Sequence, residues 1–295
     1  MATDLKLLPP PAAGVAAGHQ GARADEKSVV RFDAHQRVQH FLMMSSFIVL
    51  ALTGLPQKFS DLGVSQWWVS SLGGLETVRW IHRGAGLTML ADCLYHLTYL
   101  CYRIGVQRRL EPLGMIPTPN DLRDAAQSIL YYLGVTPEKP KFGRYSYLEK
   151  FDYWAVFWGI AMIGTSGLLL MFAVDAARIL PGQAISVALT VHSDEALLAV
   201  GWIVVVHLFN VHLAPWAFPM NPAIFTGRMR AARYAEEHPL EWRRLEAARA
   251  EPRPSPTPRS QRAAPANAGR PSLRGRLKTW RRRLAALLGR TRPAS

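Results

Sequence analysis

The chain has 295 residues, 49% of them hydrophobic, with 35 Lys and Arg against 21 Asp and Glu and a formal net charge of +14. It has two cysteines and no CxxC or CxxCH string, which excludes a disulfide scaffold, a zinc knuckle and covalent c-type haem attachment. From Arg228 to Ser295 there are 18 Lys and Arg against 5 Asp and Glu, a difference of 13, so the excess sits in one tail after an apolar segment, where anionic lipid is a better partner than nucleic acid.

Residues 1–30, with a Pro-Pro-Pro run and no signal-peptide core, are expected to be a disordered arm. A first span is expected at Gln36 to Leu55, with His40 near its start and Gly54 near its end. Gln57 to Arg79 reads as a connection, and Trp67, Trp68 and Trp80 suit a membrane interface. The second span is expected at Trp80 to Tyr102, containing His82, His96, and Cys93 and Cys101 as small apolar groups. A loop with Pro112, Pro117, Pro119, Pro137 and Pro140 follows, interrupted by one short helix around Asp121 to Leu133. The third span, Phe151 to Val174, carries Gly159, Gly164 and Gly167, where a helix or a porphyrin face can approach closely. The fourth, Ser186 to Leu213, is stopped by Pro215, Pro219 and Pro222. In the tail, Glu236 to Glu251 reads as a charged helix, Pro252 to Pro271 as a linker and "SLRGRLKTWRRRLAALLG" as a basic amphipathic segment on the membrane surface. The predicted fold is all-α: an integral membrane four-helix bundle over residues 31–227, between an arm and a basic tail at 228–295.

Charge in the connections orients it. The arm through His40 has five Lys and Arg and Arg103 to Lys150 has eight, against two in Gln57 to Trp80 and one in Asp175 to Val191. The positive-inside rule therefore places both termini and the middle loop in the cytoplasm, with His82 and His192 near the outer face and His40, His96, His207 and His212 near the inner one.

Imidazole is expensive in hydrocarbon, so these histidines call for a role. On ideal helices His192 and His207 are offset by about 60° and 22 Å, and His82 and His96 by about 40° and 21 Å. A lone histidine in a span is more often a polar contact between helices, but two matched ladders on two helices are what bis-imidazole haem ligation requires. Spacing alone favours His82 with His192 and His96 with His207. His207 and His212 differ by about 140°, too much to serve one iron on a regular helix. His35, by its spacing from His40, and His19 and His238, in polar arms, are expected to be solvated. Arg79 and Arg83 bracket His82 and are candidates to pair with haem propionates. Asp92, one turn before His96, is a candidate to orient an imidazole or pass a proton. Glu149 and Asp152 are candidates for proton exchange with a quinone, and Asn210 for a hydrogen bond to its carbonyl.

The motifs "RVQHFLMMSSFIVLALTG", "IHRGAGL", "KFGRYSYLEKFDYW" and "VHSDEALLAVGWIVVVHLFNVH" resemble the b-type cytochrome membrane subunits of formate dehydrogenase and nickel-iron hydrogenase over residues 31–227. The resemblance implies an outer haem b on His82 and His192 and an inner one on His40 and His207. It leaves His96 and His212 for a third haem, a propionate contact or a quinone pocket. It also implies electron transfer across a bacterial inner membrane between the quinone pool and an external cytochrome c, iron-sulfur, molybdenum or nickel subunit. Two alternatives compete. A desaturase-type di-metal oxygenase would use the HxxxxH strings His35 to His40 and His207 to His212, and a non-catalytic anchor would use histidines only to join helices.

Overall fold

Asp33 starts the first long helix, α1 (Ala34–Lys58): its carboxylate accepts from the Gln36 N–H at 2.9 Å while the Gln36 side chain accepts from the Asp33 N–H at 3.0 Å, a reciprocal cap. The computed structural model describes residues 28–214, 217–218 and 220–250. The expected arm through residue 27, His19, Pro215, Pro219, and the linker and amphipathic segment beyond residue 250 lie outside the described residues.

Helix α2 (Gly63–Ser71) turns the chain back, held by the Trp68 indole donating to the Leu52 carbonyl at 2.9 Å. Helix α3 (Leu75–Cys101) then runs antiparallel along α1 and ends in a π-helical turn, Tyr102–Val106. The pairs Gln39–His96 and Thr53–His82 set one constant register between the two helices. Helix α4 (Pro119–Tyr132) is tied to α5 (Tyr147–Met171) by the Lys150–Asp121 pair at 2.9 Å. Ser146 and Glu149 form the cap of α5, and a π-helical turn, Ile160–Gly164, interrupts it. Helix α6 (Gln183–Leu213) ends in two successive π-helical turns, Ile203–His207 and Phe209–Leu213.

Helices α1, α5 and α6 are long and apolar enough to cross a membrane. Helix α3 is of similar length but carries Glu76, Arg79, Arg83 and Asp92. The burial pattern is that of a bundle in lipid. Phe41, Leu94, Trp158 and Val205 are 58–70% exposed, while Gln39, Ser46, Thr53, Asp92 and Ser166 are buried. Ser46, Thr53 and Ser166 donate to carbonyls one turn earlier, which satisfies their hydroxyls without water.

Structure begins before residue 31 and continues after 227. Strand β1 (Ser28–Val30) pairs antiparallel with β2 (Arg228–Arg230), so the all-α expectation misses a small sheet. Between the bundle and β2, Gly227 has φ +75°, and a Cβ there would lie 2.6 Å from the Phe32 carbonyl oxygen, so only glycine fits. Helices α7 (Ala231–Glu237) and α8 (Pro239–Ala250) follow, and Val29, Met229, Ala231 and Tyr234 form a small apolar core. Buried Arg31 locks this cluster onto α5, donating to Glu149 at 2.6 Å and to the Arg144 carbonyl at 2.8 Å. His238, expected to be solvated, is 3% exposed and donates to the Gly143 carbonyl at 2.7 Å.

Burial holds His238 below its ordinary value of 6.5, against an opposing pull from Glu149. The unfolded state therefore binds more protons below about pH 6.5, and the cluster loses stability as pH falls through that value. Hydrogen exchange of β2 and α7, corrected for the intrinsic rate, should show lower protection near pH 5.5 than near pH 7.5. Equal protection would contradict the assignment of a neutral His238.

Candidate functional site

Two helices each offer an imidazole at one end of the bundle. His82 of α3 and His192 of α6 have ring centroids 6.1 Å apart at 76° between planes. Two metal–imidazole bonds of about 2 Å, with the two ring radii, give a span of roughly 6 Å. The second nitrogens are already positioned. The Thr53 hydroxyl gives its proton to the Val49 carbonyl at 2.7 Å and so accepts from His82 Nδ1–H at 2.8 Å. His192 Nδ1–H donates to the Ile163 carbonyl at 2.9 Å, within the π-helical turn of α5. With Nδ1 of both rings engaged, Nε2 is the nitrogen that would be available to a metal. Glycine makes room on both sides: a Cβ at Gly54 would sit 3.1 Å from His82 Cε1, and one at Gly167 3.0 Å from His192 Cε1. Gly164 admits Leu90, whereas Gly159 faces open space.

At the other end, His207 Nδ1–H donates to Asp152 Oδ2 at 3.1 Å, and Asp152 Oδ1 accepts from the Trp202 indole at 2.7 Å. His40 lies within electrostatic reach of His207 and His212. The buried Nδ1 of His212 has no hydrogen-bond partner among the described residues. Straight-helix arithmetic separated His207 from His212, but the end of α6 is π-helical, and its i→i+5 ladder sets residues five apart one above the other. The same insertion absorbs the fifteenth residue between His192 and His207.

His96 differs from these. Its Nδ1–H donates to Gln39 Oε1 at 2.9 Å and its Nε2 accepts from the Tyr153 hydroxyl at 3.1 Å, so both ring nitrogens are occupied. Asp92 is buried with Oδ1 unpartnered, and His96 is oriented by Gln39 and Tyr153 instead. Asn210 donates to the Val206 carbonyl at 2.9 Å. Glu149 is held by Arg31 and its own cap, and Asp152 by His207 and Trp202. Arg79 is exposed, and the Arg83 guanidinium covers the Trp80 ring at 5.5 Å. His35 is exposed, as expected, and it also bonds the Tyr95 hydroxyl at 2.6 Å and stacks on Tyr99 at 5.1 Å, which ties it to α3. Thr53, Gly54 and the Asp152–Trp202 pair were not picked out as imidazole supports in the sequence, where only the close spacing of small residues hinted at them.

One cavity of about 2250 Å³ runs between the helices and is lined by His40, His82, His192, His207, Arg79 and Arg83, among others. A site for one drug-sized ligand holds about 300–1,000 Å³, so the space admits more than one large planar group. A family model described as prokaryotic cytochrome b561 matches residues 31–219. The chain belongs to the prokaryotic cytochrome b561 family. Among curated proteins it is similar to the formate dehydrogenase cytochrome b556(fdo) subunit of Escherichia coli K12, 23% identical over 220 residues that cover 74% of this chain and 92% of that one. The same subunit from strains O6:H1 and O157:H7 matches equally. Membership in the cytochrome b561 family implies haem b and a membrane electron-transfer role, and the glycine-backed, tautomer-fixed imidazoles fit that cofactor.

The glycine cradle in this cytochrome b561 is testable. Gly167→Leu drives a branched side chain into the His192 ring and should abolish haem at that pair, whereas Gly201→Leu, which meets no neighbouring atom and lies outside that cavity, should keep it. Reduced-minus-oxidised absorption per chain measures both. Full haem content in Gly167→Leu would rule out the cradle.

Proposed function

We propose that this cytochrome b561 conducts electrons across the bilayer through two haems b, one held by His82 and His192 and one by His40 and His207, between a redox subunit on the outer side and quinone on the inner side. The observation that carries the reading is a pair of imidazole sites at opposite ends of one cavity, each with an Nδ1 anchored by protein. Haem b, when bound, supplies a one-electron iron couple. The chain's own residues do the positioning: Thr53, the Ile163 carbonyl and Asp152 hold the imidazole tautomers and raise their basicity. Arg79 and Arg83 line the cavity beside His82 and are placed to neutralise propionates. Asn210 lines the His207 end, where a quinone headgroup would bind. The relative's name, a formate dehydrogenase subunit, supports a redox partner subunit in a membrane complex.

In this reading α3 is the second of four spans, its charged residues clustered toward its start or turned to the bundle interior, and both termini are cytoplasmic. Pyridine haemochrome analysis should give two haems b per chain, and the untreated reduced protein should show low-spin bands. No haem would leave the di-metal and anchor readings standing. In a variant with Cys93 and Cys101 replaced by Ser, a cysteine introduced at Gly63 or Gln183 should react with an impermeant label from outside, and one at Asp121 should not. The reverse pattern would overturn the topology.

A further inference from the structure

Asp92 is 8% exposed, lines the cavity, and has a buried Oδ1 with no partner among the described residues. An unpaired carboxylate there is costly unless it serves as a proton site. It begins a polar stripe on α3: Asp92, His96, Tyr99 and Arg103 fall within about 60° of one another and rise about 16 Å toward the Arg103 end. All four line the same cavity. The stripe is continued by side chains from the helices beside it. At its mouth the Tyr99 hydroxyl donates to the Asp33 carboxylate, and Arg103 donates to Asp33 at 3.3 Å and to the Tyr99 oxygen at 3.1 Å. In its middle, His96 bonds Gln39 and Tyr153. One helical turn, about 6 Å, separates His96 from Asp92, a gap that bridging water spans.

What faces Asp92 is otherwise neutral. The register of α1 sets Met43 opposite it, and the α5 turn Ile160–Gly164 that packs on α3 is apolar. The titratable groups nearest along its own helix are Cys93 and His96, and on α5 Tyr153. In the same register Asp92 is about one turn from the level of His40 and about 15 Å along the axis from His82.

We propose that Asp92, His96, Tyr99 and Arg103 form a proton-uptake path whose buried end, Asp92, binds one proton when an electron reaches the His40 end of the bundle. The proposal rests on the two-haem reading above. The balance is simple: one electron from quinol or the partner subunit adds one negative charge, and one proton from water at the Arg103 end forms one O–H bond on the Asp92 carboxylate. Reoxidation removes both, and no other reactant is consumed. Charge compensation of this kind is favoured because an added charge in a low-dielectric interior is poorly screened.

Optical redox titration of the purified full chain from about pH 6 to about pH 8 tests it. In the wild type one haem should shift its midpoint by up to about 59 mV per pH unit, the value of a tenfold proton change for a one-electron couple, while the other stays flat. Asp92→Asn should flatten the slope with haem content and band positions kept, and Asp92→Glu should restore it. His96→Phe and Tyr99→Phe should retain the slope but slow re-equilibration after a pH jump by at least about tenfold. An unchanged slope in Asp92→Asn overturns the proposal, whereas absence of low-spin haem in the wild type overturns the two-haem reading instead. Should Asp92→Asn fail to assemble, the redox-difference infrared spectrum of the wild type decides: a carboxyl stretch appearing on reduction supports the path, and its absence refutes it.

Discussion

His82→Ala and His192→Ala should each reduce haem content from two per chain to one, and both should remove the same haem. The two rings face each other at 6.1 Å from different helices, and each has one nitrogen already bound by the protein. An iron held by two axial nitrogens loses half its protein bonds in either variant, and the vacated space, backed by Gly54 or Gly167, offers no substitute donor. Electron transfer through the bundle should fall by at least on the order of 100-fold, since a lost ligand costs more than a lost outer-shell partner, for which 10–100-fold is typical. Thr53→Val gives the graded version: His82 keeps its place but loses its Nδ1 acceptor, so haem should bind more weakly without being abolished. Measured haem stoichiometry decides. Two haems in either alanine variant, or loss of different haems in the two, would end the pairing.

Much of the bundle was legible because imidazole and carboxylate are rare in long apolar segments, so His82, His192, His207 and Asp92 stood out from residue chemistry alone. The helices also begin and end near the expected limits: Gln36 to Leu55 compares with the helix Ala34–Lys58, and Ser186 to Leu213 with the helix Gln183–Leu213. What straight-helix arithmetic could not show was the π-helical geometry. A one-residue insertion leaves no compositional mark in "GWIVVVHLFNVHL", yet it turns His207 and His212 onto one side of α6. Three-residue strands are likewise too short for an alternating pattern, so Ser28–Val30 looked like the end of the arm and Arg228–Arg230 like the start of the tail. His238 and Arg31 were hidden for a related reason, because their burial depends on chain segments more than 90 residues apart.

The second large effect concerns the other end of the cavity, where spacing and family resemblance point to different residues. His40→Ala should lose one haem, while His96→Ala should keep both with an unaltered low-spin spectrum. His96 is bonded at Nδ1 to Gln39 and at Nε2 to Tyr153, so ligating iron through Nε2 would strand the half-buried Tyr153 hydroxyl at about 1–3 kcal/mol. His40 carries no such commitment among the described residues and lies within electrostatic reach of His207, whose own Nδ1 is anchored on Asp152. His96→Ala still leaves Gln39 and Tyr153 unpaired, so its thermal midpoint should drop even though its haem remains, which separates a structural role from a ligating one. If both variants each lose a different haem, the protein holds three, and His212, with a buried nitrogen that has no partner among the described residues, becomes the remaining axial donor at this end. Loss in His96→Ala alone would reverse the assignment in favour of the two-helix ladder. An unchanged spectrum in both variants would refute ligation by either residue and with it every version of this site given above.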